Sequence, residues 1–137
     1  FRQCTRNEST PSSGPDIEAK AHVLATAISH AEGFGVPGAV PTRLHNPGDI
    51  SDGAGIFGFE SHSGSRVTKF PDDVTGWHWL TNKLKNAFNG ASSVYSPSMT
   101  FREFAQKWAG NWQPWVEIVT RELGTSPDTT LEEWLGA

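Results

Sequence analysis

The feature that most constrains this chain is an apolar stripe that stops abruptly on an acid. Ile17, Ala21, Leu24, Ile28 and Ala31 recur at i, i+4, i+7, i+11 and i+14, the spacing of one buried helix face. Pro15 suits a first helical position, and Asp16 and Glu18 favour the positive end of the helix dipole. Gly33 supplies the stop, so Glu32 falls in the last turn, where the dipole opposes a negative charge and raises a carboxyl pKa. Beyond it the chain turns glycine- and proline-rich, "GFGVPGAVPTRLHNPGDI", and does not continue as a second helix. Glu32 is therefore either a solvated helix end or an acid held at the mouth of a cleft.

The rest of the chain supplies the surroundings. At 137 residues it fits one domain with one core. Residues 1–15 are polar, without periodicity, and read as a flexible leader to a single domain over 16–137. The pieces "GDIS", "GIFGF" and "SRVTKF" read as a small sheet of two or three strands. A second helix is predicted from about Asp72 to Phe88, with Val74, Trp77, Leu80 or Thr81, Leu84 and Phe88 inward. Thr100 with Glu103, and Thr130 with Glu133, form capping boxes opening two later helices, and between them another helix starts near Pro114 and stops at Gly124. The order helix, small sheet, several helices makes an α+β domain with a cleft between a sheet lobe and a helical lobe.

Composition removes several functions. Eleven Lys and Arg stand against fifteen Asp and Glu, scattered without a basic stripe, which argues against nucleic acid and anionic membrane as partners. No apolar stretch is long enough to span a membrane, and no signal segment is visible; the chain opens on Phe1 rather than Met and is read as a processed piece. The single cysteine, Cys4, allows neither an internal disulfide nor a cysteine metal cluster. His30 and Glu32 give the His-x-Glu of a zinc deaminase without the paired cysteines that chemistry requires. Phosphate-binding loop, dinucleotide fingerprint and serine elbow are all missing. No metal and no cofactor are expected.

Carboxylate chemistry remains. Cleaving a glycosidic bond needs a protonated acid near the leaving oxygen and a group that stabilises or traps the sugar cation. Glu32 meets the first need, with Phe34 and Ile28 lowering its exposure to water. Asp49, Asp52 and Glu60 are the candidates for the second. Asn46 either starts a turn or presents an amide to a sugar. Trp77, Trp108, Trp115 and Trp134 follow helical spacing and read as core; Trp79, Tyr95 and Trp112 fall off those stripes and are the better candidates for sugar contact.

Taken together, "AISHAEGF", "VPGAVPTRLHNPGDI", "FPDDVTGWHWL" and "TFREFAQKWAG" resemble the small lysozyme-like domains of bacterial and phage origin related to lytic transglycosylases and goose-type lysozymes, over about Asp16 to Leu135. The resemblance implies a mostly helical lysozyme-like fold, Glu32 as catalytic acid, and Asn46, Pro47, Gly48 and Asp49 as the turn lining the cleft. It implies cleavage of the β-1,4 bond between N-acetylmuramic acid and N-acetylglucosamine in peptidoglycan, as a muramidase or as a lytic transglycosylase. Asp49 stands where an Asn is common, and "GIFGFE" stands where the better-known transglycosylases have Gly-Leu-Met-Gln. On this reading the partner is the peptidoglycan glycan strand, the chain acts as a monomer, and its place is secreted, periplasmic or phage-delivered. A non-catalytic glycan-binding module on the same fold is the alternative.

Overall fold

The computed structural model describes residues 14–136, so Cys4 and nearly all of the expected leader lie outside the described residues. The described chain is α+β, mostly helical with one antiparallel hairpin. In chain order the elements are α1 (Gly14–Glu32), the single turns α2 (Val40–Arg43) and α3 (Ala54–Phe57), strands β1 (Phe59–His62) and β2 (Ser65–Thr68), then α4 (Asp73–Phe88), α5 (Phe101–Trp108), α6 (Trp112–Leu123) and α7 (Leu131–Leu135).

Helix α1 is the central strut. Ile17, Ala21, Leu24 and Ile28 of its stripe are buried and Ala31 partly so, and Ala25 and Ala27 are buried as well, because α4, α6 and α7 pack around it. Small residues at those positions let helices approach closely from more than one side. Leu24, Ile28, Leu80, Leu84, Phe101, Phe104, Val116, Val119 and Leu131 complete one continuous core.

Local chemistry sets the element ends. Asp72 caps α4, accepting from the Thr75 backbone N–H at 2.8 Å, and both capping boxes form as written in the sequence. Helix α6 opens at Trp112, two residues before Pro114, which sits in the first turn where its missing N–H has no helical partner to lose. The start of α5 is stitched to the chain before α7: Phe101 N–H donates to Thr129 at 3.0 Å, and Leu131 N–H to Met99 at 3.0 Å.

The sheet region departs from expectation. "GIFGF" does not open as a strand: Gly53 and Gly58, at φ 81° and 92°, bracket the single turn α3, and the strand begins only at Phe59. "GDIS" is irregular, although the Ile50 carbonyl accepts from Thr68 N–H at 3.0 Å and so edges β2. The hairpin pairs Phe59 with Thr68 and His62 with Ser65 across Ser63-Gly64, both at positive φ as a two-residue hairpin turn requires. Val74 is 78% exposed rather than inward, since the neighbouring inner position belongs to Gly76.

Gly76 matters because α4 lies directly against the His45–Asp49 turn. A Cβ at Gly76 would meet the His45 carbonyl oxygen at 2.0 Å, and one at Gly48 would meet the Leu80 Cδ1 at 2.6 Å. Both glycines are spacers that seat this turn on the helix.

Candidate active site

Glu32 is turned by the way its helix ends. Gly33, at φ 83°, donates to the His30 carbonyl at 3.3 Å, and Phe34 N–H donates to Ser29 at 3.0 Å. That pair of bonds is a Schellman ending, with Glu32 at the C-cap and its side chain directed off the helix. The carboxyl lies half-buried in a groove of about 810 Å³, between the sheet side (Asp49, Asp52, His62) and the helical side (Lys83, Tyr95, Trp108, Trp115).

Four effects set its acidity. Burial dominates and pushes the Glu32 carboxyl up to about 7. The Trp115 indole N–H, donating to Oε2 at 2.9 Å, pulls the other way, while the Asp49 charge pushes up again. The Trp108 N–H, whose hydrogen bond goes to the Gly48 carbonyl at 3.2 Å, adds the smallest downward pull. An acid so placed is protonated in a useful fraction of molecules near neutral pH.

Asp49 sits at the end of the glycine turn with φ 55°, its N–H donating to Asn46 at 3.1 Å. Burial raises its carboxyl above the usual Asp range, partly offset by the charge of His62. Asn46 anchors the turn from beneath. It is wholly buried, with Nδ2 donating to the Ile50 and Thr68 carbonyls at 2.8 and 3.0 Å and Oδ1 accepting from Ile50 N–H at 2.9 Å. This amide therefore serves the turn and faces the core rather than the groove.

The other candidates divide. Asp52 lines the groove but is paired with the Lys83 ammonium at 2.7 Å. Tyr95 lines it too, packed at a tilt against the Phe104 and Trp108 rings, with burial and then Asp52 pushing its phenol up to about 12. Glu60 is held by Arg43 at 2.7 Å and His62 at 3.0 Å, which draw its carboxyl down to about 2, and it does not line the groove. Neither do the three remaining aromatics. Phe34 packs edge-on to Trp77, Trp79 packs against Phe57 and Phe70, and Trp112 packs against the core.

Helical spacing alone hid the two tryptophans that matter most here. Trp108 and Trp115 do pack with Phe104, yet each also turns its N–H to a polar partner at the groove. The available signal was chemical: a buried indole N–H must find an acceptor, and Glu32 was an acid lacking a partner. Lys83, whose ammonium lies 5.6 and 5.5 Å from the Tyr95 and Trp108 ring centres, carried no such signal.

Among the described residues no group of three His, Cys, Asp or Glu side chains is arranged to hold a metal ion, and no helix is long and apolar enough to cross a membrane. Comparison with protein-family models finds no matching family, and comparisons with curated proteins and with solved structures find no match either.

Proposed function

We propose that the groove is the active site of a peptidoglycan-cleaving glycosidase of lysozyme-like fold, with Glu32 as the general acid. The observation that carries this reading is the environment of Glu32: a half-buried carboxyl, hydrogen-bonded to Trp115, with an acidity near neutral and a second groove carboxylate, Asp49, whose charge raises it further. Glu32 donates its proton to the bridging oxygen between N-acetylmuramic acid and N-acetylglucosamine as the C–O bond breaks, and positive charge grows on the sugar carbon. Asp49 is better suited than Asp52 to face that charge, since the Asp52 charge is already answered by Lys83.

Two endings fit this arrangement. Water activated by a carboxylate adds to the sugar carbon in a muramidase. In a lytic transglycosylase the muramyl 6-hydroxyl adds instead, and Glu32, now ionised, takes its proton. Mass spectrometry of muropeptides released from purified cell walls distinguishes them: reducing ends mark hydrolysis and anhydro ends mark transglycosylation. Release of neither, with wall pull-down intact, would replace this reading with a glycan-binding module. Against that module, Trp79 and Trp112, the aromatics it would need beside Tyr95, lie away from the groove. The substrate makes the protein's place of action secreted, periplasmic or phage-delivered.

A further inference from the structure

The hairpin brings a chain of ion pairs up to the groove from behind. Glu60 and His62, two residues apart on β1, share one face of the hairpin. Arg66 is paired with Ser61 and lies on the opposite face, over the Phe59 ring at 5.1 Å. Both oxygens of Glu60 are in use: Arg43, at the end of α2, donates from Nη1 to Oε2 at 2.7 Å, and His62 Nε2 lies 3.0 Å from Oε1. These partners draw the Glu60 carboxyl down to about 2, so it stays ionised and can only accept. Nε2 therefore carries the hydrogen, and the ring is tethered through that atom. Of the three residues only His62 lines the groove.

Asp49 lines the same side. The other charged groups around the groove are Glu32 on α1, Asp52 beyond the turn, Lys83 on α4 and Lys107 on α5. The Lys83 ammonium is taken by Asp52 at 2.7 Å. The charge that acts on Asp49 is that of His62, which lowers its carboxyl against the larger rise caused by burial. The proposed cleavage needs two groove carboxyls in opposite states at one pH, Glu32 protonated and Asp49 ionised. Burial raises both, and His62 acts on Asp49 alone of the two, which keeps their states apart. In the acid range where a carboxylate takes up its proton, a histidine already carries its charge.

We propose that Arg43, Glu60 and His62 form an ion-pair chain that holds an imidazolium beside Asp49 and keeps that carboxylate ionised while Glu32 stays protonated. Arg43 and Glu60 are positioning residues, reaching the groove only through His62. The proposal rests on the glycosidase reading above, and it ties the acid side of the working pH range to two side chains that lie outside the groove.

Two measurements test it. Carbon-13 NMR reads the titration midpoint of the Asp49 carboxyl directly, with Asp49→Asn identifying its signal, and initial rates on purified cell walls read the effect on cleavage. His62→Gln keeps a donor for Glu60 but cannot take a charge, so the Asp49 midpoint should move to higher pH. The rate on the acid limb, relative to the rate at the optimum, should fall by roughly two- to fivefold, the range of one partly exposed charge pair. His62→Lys should restore both. Glu60→Thr suits a strand and reaches neither partner. Removing the Glu60 charge would by itself move the Asp49 midpoint down, whereas releasing His62 moves it up, and the upward move is expected. An Asp49 midpoint unmoved in His62→Gln, or moved down in Glu60→Thr, overturns the ion-pair chain and leaves the glycosidase standing. Failure of the native protein to cleave cell walls overturns the glycosidase reading, while the NMR midpoints still decide the ion-pair chain itself.

Discussion

Trp115 and Glu32 meet through a 2.9 Å hydrogen bond that spans 83 residues of sequence. The bond favours the ionised carboxylate, but burial opposes it more strongly, and the balance leaves Glu32 at about 7. Trp115→Phe removes the donor while keeping an aromatic ring, so the Glu32 carboxyl should rise further and the alkaline limb of the activity profile should move to higher pH. The smaller ring also leaves space in the core, at about 1–2 kcal/mol, part of the usual cost of truncating a buried Trp. A pH–rate profile alongside a denaturant melt separates the two effects.

Glu32→Gln should lower cell-wall clearing by at least about a hundredfold, because the amide has no proton to give. Its effect on stability should have the opposite sign. Glu32 is held protonated by folding, so its contribution is fully present below the unfolded value near 4.5 and is lost as pH rises through about 7. Above that pH the native protein holds a charge it would rather not bury, at a cost on the order of 3 kcal/mol before allowance for its partial exposure. Glu32→Gln escapes this, and should melt higher than the native protein at pH 8 while losing that advantage at pH 4.

Asp49→Asn should act twice. The native pH profile is bell-shaped on this mechanism, falling above about 7 as Glu32 ionises and falling in acid as Asp49, itself raised above the usual Asp range, takes up a proton. Without the Asp49 charge the acid limb should vanish, and Glu32 should ionise at lower pH, pulling the alkaline limb down. Rate profiles of the variant read both limbs. Unchanged limbs would remove Asp49 from the mechanism.

Asn46→Ala should destabilise by about 2–4 kcal/mol, since it deletes three buried hydrogen bonds and leaves the Ile50 N–H without its partner. Thermal melting checks the loss. Because this amide holds the turn that carries Asp49, activity measured well below the melting temperature should fall as well.

At Gly76 two effects compete. Alanine is preferred over glycine inside a helix by about 1 kcal/mol. Here its Cβ would lie 2.0 Å from the His45 carbonyl oxygen, a backbone atom with no easy escape. Overpacking should win, giving a net loss of about 1–3 kcal/mol for Gly76→Ala in chemical denaturation.

How far the sequence spoke can be judged from such positions. The stripe of α1, the stop at Gly33 and both capping boxes are local in origin, and each was legible because neighbouring residues determine it. The α+β order came with them. Residue type alone could not say which way a side chain faces. Asn46 and Asp49 share one turn, yet one points into the core and the other into the groove, because the Ile50 and Thr68 backbones lie beneath that turn. Likewise Asp52 and Glu60 are acids of the sheet region whose charges are answered from afar, by Lys83 across 31 residues and by Arg43 across 17. The turn α3 was hidden by an apolar run that reads equally as strand, until Gly53 and Gly58 are seen to bracket it.

The two indole bonds have a consequence for how the protein is made. Glu32 and Asp49 are synthesised early, but Trp108 and Trp115, which complete their walls, arrive 60 residues after Gly48 and 83 after Glu32. Until α5 and α6 dock, Glu32 is an ordinary solvated glutamate and gives up its proton well below neutrality. On the glycosidase reading, a nascent or truncated chain is therefore chemically idle, and the power to cut arrives only when α5 and α6 dock.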